Sequence, residues 1–349
     1  MDDARRRLSR REALKIGAGA GLAITFAGVD AFGVPLAHAG ARATSAPTPA
    51  PAPASQTDLL TRPIPSSGER LPIVGMGTAR NYEQPAPEQV PALRDVIREF
   101  PVMGGRVLDT APAYGRAESV VGDLMAELKN RDRYFIATKV SLGGRGGGGR
   151  RGGGAPGAMA GGADAAKASL DQSLAHLRTD RIDLMQIWNM SQPEVLLPVI
   201  DEWKAAGKVR YTGITTSSDR QYEGLEAFMK SRKTDFIQID FAIDNRTAQE
   251  RILPLAADRG MAVLINLPFG RGRPFQKVQG KPLPGWAKDM GCTDWSQVFL
   301  KYIVGHPAVT CVIPGTEKVE YLKLNLGAAR GVLPDAALRR RMEADFDAL

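Results

Sequence analysis

From residue 70 onward the chain repeats one pattern, a short apolar run followed by a longer amphipathic segment. The apolar runs occupy residues 71–76, 106–109, 134–139, 182–188, 209–214, 236–240, 262–265 and 309–313. Between the runs, apolar residues recur three or four positions apart, as one buried helix face requires; Val90, Leu93 and Ile97 are an example. Eight such strand–helix units over about 260 residues fit a (β/α)8 TIM barrel in number and length.

An open, doubly wound sheet is the alternative arrangement for alternating strands and helices. Such sheets often carry a Gly-x-Gly-x-x-Gly turn after the first strand, and this chain has none there. The pattern therefore predicts an α/β protein with its barrel in residues 70–330. For residues 331–349 it predicts a helical tail, which we expect to cover the barrel floor.

The first 39 residues have the features of an export signal. A basic start precedes an apolar, uncharged segment at 16–29, which is shorter than the roughly 20 residues that span a bilayer. Ala37-His38-Ala39 then supplies a small-x-small cleavage pattern. The segment SRREALK at 9–15 resembles the twin-arginine signal. The resemblance implies that the twin-arginine export machinery is a partner, that cleavage follows Ala39, and that the protein is periplasmic without a stable membrane anchor. An uncleaved N-terminal anchor is the alternative.

Two segments have compositions that disfavour a packed core. Residues 40–57 are rich in Ala and Pro, which predicts a disordered linker, and 58–69 lead into the barrel. Residues 143–163 are mostly glycine with three arginines, which predicts a mobile insertion after the third strand. A substrate-facing lid or a nucleic-acid-binding segment are the alternatives for this insertion.

Composition excludes several classes of protein and site. The net charge of +8 is spread along the chain, so we expect no nucleic-acid partner. Two cysteines and three histidines are too few for a disulfide-rich scaffold or a histidine-based metal centre. We therefore expect no metal and no disulfide between Cys292 and Cys311.

Polar residues stand where the predicted barrel strands end, and catalytic groups gather at those ends in a barrel. Asp109 ends the second run, Tyr114 follows it, and Lys139 ends the third. A lysine ammonium beside a phenol favours the phenolate and lowers its pKa from about 10, and a carboxylate would hold that lysine charged. The three residues predict a tyrosine that donates a proton near neutral pH.

At these residues the sequence resembles the aldo-keto reductase family. The matching stretches are LPIVGMGT at 71–78, DTA and YG within 109–115, ATK at 137–139, RIDLMQI at 181–187, AGKVRYTGI at 206–214, and residues 312–325. The resemblance implies hydride transfer between NAD(P)H and a carbonyl compound at the barrel mouth. It implies that Tyr114 is the general acid, tuned by Lys139 and Asp109. It also implies cofactor contacts from Gly77, Thr78, Thr215, Thr216, Gln238, Asn266, Gly315, Thr316 and Asn325, with NADP(H) favoured over NAD(H).

The chain departs from the family pattern at three places. Trp188 stands where the family has its catalytic histidine, and an indole N–H donates a hydrogen bond but does not titrate. It either takes part in a reshaped catalytic site or only plugs the barrel mouth. Gly315 and Tyr321 replace a lysine and an arginine that hold the 2′-phosphate of NADPH, although Lys318 and Lys323 are near.

The third departure concerns the face of the nicotinamide. Asn266 replaces a stacking tyrosine at the seventh strand end, and Thr215-Thr216 replace a Ser-Asn pair, so that Thr216 lacks the amide. We expect Phe269 to point elsewhere. The Gly270–Gly272 stretch with Arg273 is either a solvated loop or an anion contact for the cofactor pyrophosphate.

Two functions of different classes follow from these residues. The first is an exported, monomeric oxidoreductase that transfers hydride between NAD(P)H and a small aldehyde or ketone. The alternative is a catalytically silent barrel that serves as a binding or scaffold protein. A different barrel chemistry on the same residues is a third option.

Overall fold

The computed structural model describes residues 58–140 and 162–349. The predicted signal at 1–39, the linker at 40–57 and all but the last two residues of the glycine-rich insertion lie outside these ranges. Cys292 and Cys311 are both buried and free.

An antiparallel hairpin precedes the barrel. It pairs β1 (Thr61–Pro63) with β2 (Arg70–Pro72). The first barrel strand is β3 (Met76–Gly77). The single strand predicted at 71–76 is therefore wrong, because the first two residues of that run pair with β1 and only its last residue lies in the first barrel strand.

Parallel strands and helices then alternate along the chain. The strands are β4 (Val107–Asp109), β5 (Phe135–Val140), β6 (Ile182–Ile187), β7 (Val209–Thr215), β8 (Phe236–Asp240), β9 (Ala262–Asn266) and β10 (Cys311–Val312). The helices are α1 (Val90–Val102), α2 (Ala117–Leu128), α3 (Gly162–His176), α4 (Pro193–Ala205), α5 (Tyr222–Ser231), α6 (Ile252–Asp258), α7 (Arg273–Lys277), α8 (Gly285–Asp289), α9 (Trp295–Val304), α10 (Val319–Gly327) and α11 (Ala336–Asp347).

The strands β3 to β10 are neighbours in chain order, each parallel to the next. Parallel bridges from Val74 to Val312 and from Gly77 to Gly315 join the first strand to the last. A Cβ at Gly77 would lie 2.9 Å from the Ile313 carbonyl oxygen, so only glycine allows this approach. The predicted (β/α)8 barrel is confirmed.

The core has two parts. Apolar side chains inside the barrel form one cluster, which includes Leu184, Phe236 and Leu264, and Ile64 and Leu71 of the hairpin join it. The second cluster lies between the strands and the surrounding helices. Because strands of such a barrel are covered on both faces, they read as continuous apolar runs and not as alternating ones.

The hairpin, and not the C-terminal tail, closes the barrel floor, so our expectation for the tail is wrong. Glu69 of the hairpin loop forms ion pairs with Arg210 and Arg106, which stand at the N-terminal ends of barrel strands. In the tail, Glu343 and Arg339 of α11 bond Tyr302 of α9. The amphipathic pattern of the tail predicted only that one face of its helix is covered, and not which part of the protein covers it.

Candidate active site

A cavity of about 420 Å³ opens at the C-terminal ends of the barrel strands. Nine residues predicted for catalysis or cofactor binding line it: Gly77, Thr78, Asp109, Tyr114, Lys139, Trp188, Thr215, Asn266 and Gly315. They come from seven of the eight strands or from the residues that follow them. Strand order and the family resemblance therefore predicted half of the residues that line this cavity.

Lys139 and Asp109 form a buried ion pair at this cavity. The lysine Nζ donates to both carboxylate oxygens of Asp109, at 2.8 and 2.7 Å, and to the Thr110 carbonyl at 2.8 Å. Gln186 Nε2 adds a hydrogen bond to Asp109 at 3.3 Å. Burial acts to lower the pKa of Lys139, but the charge of Asp109 and the other partners outweigh it and raise that pKa. Lys139 is therefore a fixed positive charge at neutral pH.

Tyr114 is largely buried above this pair, with Lys139 Nζ 5.0 Å from its ring centroid. Burial raises the pKa of Tyr114, and Lys139 lowers it by less than burial raises it. Our prediction of a lowered pKa is wrong, because desolvation of a phenolate costs more here than one paired lysine returns. Tyr114 is a protonated phenol at neutral pH, so it can donate a proton but cannot accept one.

Trp188 packs edge-on against Tyr114, with ring centroids 6.2 Å apart and an interplanar angle of 77°. The backbone after it is unusual, since Asn189, Met190 and Gln192 all have φ between 45° and 58°. Asn189 N–H donates to Thr215 Oγ1 at 3.0 Å, which fixes this turn against β7. Left-handed non-glycine residues cost free energy and cluster at functional sites. Trp188 is thus held in place beside Tyr114.

The structure does not bring every predicted cofactor residue to the cavity wall. Thr216 and Gln238 are fully buried and do not line this cavity. Thr216 Oγ1 instead donates to Gln221 Oε1 at 2.5 Å. Gln238 Oε1 is buried without a hydrogen-bond partner in the described part of the chain.

A second cavity of about 340 Å³ adjoins the first and shares Phe269 and Gly315 with it. Asn325 and Tyr321 also line it, and Thr316 supports Asn325 by accepting its Nδ2 at 3.0 Å. Tyr321 is 47% exposed, with Lys318 Nζ 5.8 Å from its ring centroid. Phe269 faces both cavities, so our expectation that it points away is wrong.

Sequence reasoning left Arg80, Ser217 and Leu267 unassigned, yet they line the first cavity. Asn189, which follows β6, and Arg271, for which an anion contact was one alternative, line it too. Arg80, Leu267 and Arg271 have φ of 71°, 47° and 60°. A sequence does not show that an arginine has a left-handed backbone, because glycine is the residue that usually indicates this conformation. Position just after β3 and β9 was the one available clue.

Neither a membrane-spanning helix nor a metal-binding cluster occurs in the part of the chain that the structure describes. Within 58–140 and 162–349, no helix has both the length and the apolar character needed to cross a bilayer. The same ranges contain no group of three or more His, Cys, Asp or Glu side chains arranged to hold a metal ion.

Comparison with known proteins agrees with this geometry. The sequence profile of the Aldo/keto reductase family matches residues 73–344. This chain belongs to that family.

Two similar proteins differ in how much of their length is matched. Norsolorinic acid reductase B of Aspergillus parasiticus is 32% identical over 200 residues, which are 53% of this chain and 50% of that protein. The oxidoreductase YqkF of Bacillus subtilis is 27% identical over 282 residues, 73% of this chain and 85% of that protein. This chain thus spans half the length of the first relative and most of the second.

A third relative and two solved structures are also similar to this chain. NADH-specific methylglyoxal reductase of Escherichia coli is 25% identical over 204 residues, 56% of this chain and 61% of that protein. An aldo/keto reductase of Klebsiella pneumoniae in complex with NADP and acetate has a TM-score of 0.64 at 22% identity, over 79% of this chain and 93% of that one. A Bacillus halodurans aldo-keto reductase in its holo form has a TM-score of 0.64 at 24% identity, over 82% and 96%. Both structures share the barrel fold.

The site of this aldo/keto reductase fits a nicotinamide dinucleotide. Two adjoining cavities provide room for the two ends of such a molecule. Buried Asn266 Oδ1 has no partner within the described residues, and an unpaired buried acceptor calls for a ligand donor. Arg271 lines the first cavity and forms no side-chain hydrogen bond or ion pair in the described part, which suits a pyrophosphate contact.

Proposed function

We propose that this chain reduces small aldehydes or ketones with NAD(P)H, with Tyr114 as the proton donor. The observation that carries the proposal is the buried Asp109–Lys139 pair beneath Tyr114 in a cavity at the barrel mouth. A buried charge pair costs desolvation free energy, and a barrel that served only as a scaffold would need none at this place.

When bound, the reduced nicotinamide supplies a hydride to the carbonyl carbon and is itself oxidised. Tyr114 donates its phenolic proton to the carbonyl oxygen, which completes the alcohol. The phenolate left on Tyr114 is stabilised by the charge of Lys139, and Asp109 keeps that charge in position. Low local dielectric strengthens this attraction, and a proton from solvent then restores the phenol.

Trp188 takes the family's histidine position without its chemistry. Its indole N–H donates a hydrogen bond but does not ionise at ordinary pH, so it does not act as a general acid or base. Tyr114 is therefore the single proton donor to the substrate in this proposal, and Trp188 holds the Tyr114 ring by an edge contact. The apolar cavity lining, with Phe269, Leu267 and Ile313, suits a small apolar carbonyl compound.

For the cofactor we propose NADP(H) over NAD(H). Support comes from the NADP in the Klebsiella neighbour and from Lys318 beside the second cavity, a cation able to meet a 2′-phosphate. The NADH-specific Escherichia coli relative supports the opposite preference. Parallel fluorescence titrations of the purified protein with NADPH and NADH decide between them.

The same titration tests the function itself. Saturable binding of NADPH, followed by turnover of an aldehyde that Tyr114→Phe loses, supports the reductase. Full turnover by Tyr114→Phe refutes the role of Tyr114. No binding of either nucleotide up to millimolar concentration favours the silent barrel, for which the replacement of the family histidine by Trp188 is the supporting observation.

We further propose that the protein is exported by the twin-arginine route and works as a monomer in the periplasm. The SRREALK segment and Ala37-His38-Ala39 support this. Fractionation of cells that express the full chain, with N-terminal sequencing, should give a mature protein that begins at Gly40. Changing Arg10 and Arg11 to Lys should leave it in the cytoplasm. Sedimentation of the mature protein tests its oligomeric state.

A further inference from the structure

The Asn266 amide is held in one orientation at the end of β9. Its Nδ2 donates to the Thr216 carbonyl at 3.1 Å. Because a carbonyl accepts and cannot donate, this bond identifies the nitrogen and places Oδ1 on the other side of the amide. Oδ1 is buried, has no partner among the described residues, and belongs to a side chain that lines the first cavity.

Thr215 offers the opposite hydrogen-bonding character across the same cavity. Its Oγ1 accepts from the Asn189 N–H at 3.0 Å, and within the described structure its own proton has no acceptor. Thr215 ends β7 and Asn266 ends β9, so the two side chains flank the end of β8. Two residues of the wall thus carry, within the described structure, one amide oxygen and one hydroxyl proton without a hydrogen-bond partner.

We propose that Asn266 and Thr215 together bind the primary carboxamide of the nicotinamide, with Asn266 Oδ1 accepting from its NH2 group and Thr215 donating to its oxygen. A primary amide carries the complementary pair, one acceptor oxygen and two N–H donors. This inference rests on the proposed function, since it assigns the contacts that orient the reacting ring. It makes Asn266 a positioning residue, not a replacement for the stacking tyrosine.

The assignment also relates two departures from the family pattern. Thr216 stands at the place of the family's amide, but its hydroxyl is engaged with Gln221 and it does not line the first cavity. Asn266 brings an amide to the neighbouring position, bonded to the Thr216 carbonyl itself. The amide is thus supplied by β9, where the family has a tyrosine, and no longer by the segment after β7.

The test compares equilibrium binding of NADPH with that of its reduced 3-acetylpyridine analogue, which has a methyl group in place of the carboxamide NH2. The protein should bind NADPH about tenfold more tightly, because the analogue leaves buried Asn266 Oδ1 unpaired. Asn266→Leu should reduce this ratio to about twofold. Thr215→Val should weaken binding of both nucleotides and keep the ratio, since both retain the carbonyl oxygen that Thr215 meets. An unchanged ratio in Asn266→Leu overturns the proposal.

A paired exchange adds an independent check. Asn266→Tyr alone should lose the discrimination, and Asn266→Tyr with Thr216→Asn should regain it, because the amide returns to the family position. If the double variant also fails to prefer NADPH over the analogue, the inference that Asn266 supplies the missing amide is wrong.

Binding of 2′-phospho-ADP-ribose, which lacks the nicotinamide, is measured in every variant and reports that the protein is folded. If the parent binds this fragment but shows no preference for NADPH over the analogue, the carboxamide inference fails and the proposed function stands. If the parent binds none of the three ligands, the proposed function fails.

Discussion

Replacing Lys139 by Met should destabilise this protein strongly. Both side chains of the Lys139–Asp109 pair are 3% exposed, and Lys139 Nζ makes three hydrogen bonds of 2.7–2.8 Å. Without it, the Asp109 carboxylate stays buried with the Gln186 amide as its remaining hydrogen-bond partner among the described residues, at 3.3 Å. Removing one member of a buried ion pair costs about 3–5 kcal/mol, a large part of the roughly 5–15 kcal/mol that stabilise a domain.

Equilibrium urea unfolding at pH 7, followed by far-ultraviolet circular dichroism, measures this cost. Lys301→Met is the matched control, because Lys301 is 1% exposed and donates to the neutral carbonyls of Arg330 and Val332. It should cost about 1–3 kcal/mol, the penalty of unpaired carbonyls without a stranded charge. The double variant Asp109→Leu with Lys139→Met should be more stable than Lys139→Met. The reasoning fails if Lys139→Met costs no more than Lys301→Met, or if the double variant is the less stable one.

Three other perturbations follow from the same structure. Tyr114→Phe should lower kcat by about 10²–10⁴-fold, the usual contribution of a positioned proton donor, and a steady-state assay with a small aldehyde measures it. Trp188→His should add an ionisation near pH 6.5 to the kcat/KM profile; if the parent already shows one, an imidazole-free site is the wrong description. Burial, with Arg339 and Arg62, lowers the pKa of His306 to about 4, so the unfolded chain takes up this proton more readily than the folded one. Stability should therefore fall as pH drops from about 6.5 towards 4, by about 2 kcal/mol after discounting for the partial exposure of His306, and His306→Gln should flatten that fall in thermal melts.

The Asp109–Lys139 ion pair shows what sequence reasoning can reach. Asp109 and Lys139 end adjacent parallel strands, so their meeting follows from strand order alone. The sign of the Tyr114 pKa shift did not follow, because it depends on how much water the folded site excludes. The sequence pattern predicts which charged residues lie near a titratable side chain, but it does not predict how deeply that side chain is buried.

Thr216 and Phe269 show the limit at the scale of single side chains. Both follow barrel strands, yet Thr216 turns away to Gln221 and Phe269 faces the two cavities. Beyond a strand end the strict alternation of side chains stops, and local turns such as the left-handed Leu267 and Arg271 decide the direction.

The sequence by itself determined the barrel and the order of its strands, because the spacing of apolar runs leaves few ways to bury them. It also placed Asp109 and Lys139 at adjacent strand ends, where they form the buried ion pair. Tertiary structure alone decided that the β1–β2 hairpin closes the floor, that α11 packs on α9, and that the Asn266 oxygen is buried without a partner among the described residues. Each of these depends on which distant groups meet in space. Local periodicity determines which face of a segment can be buried, and the folded structure determines which other segment packs against that face.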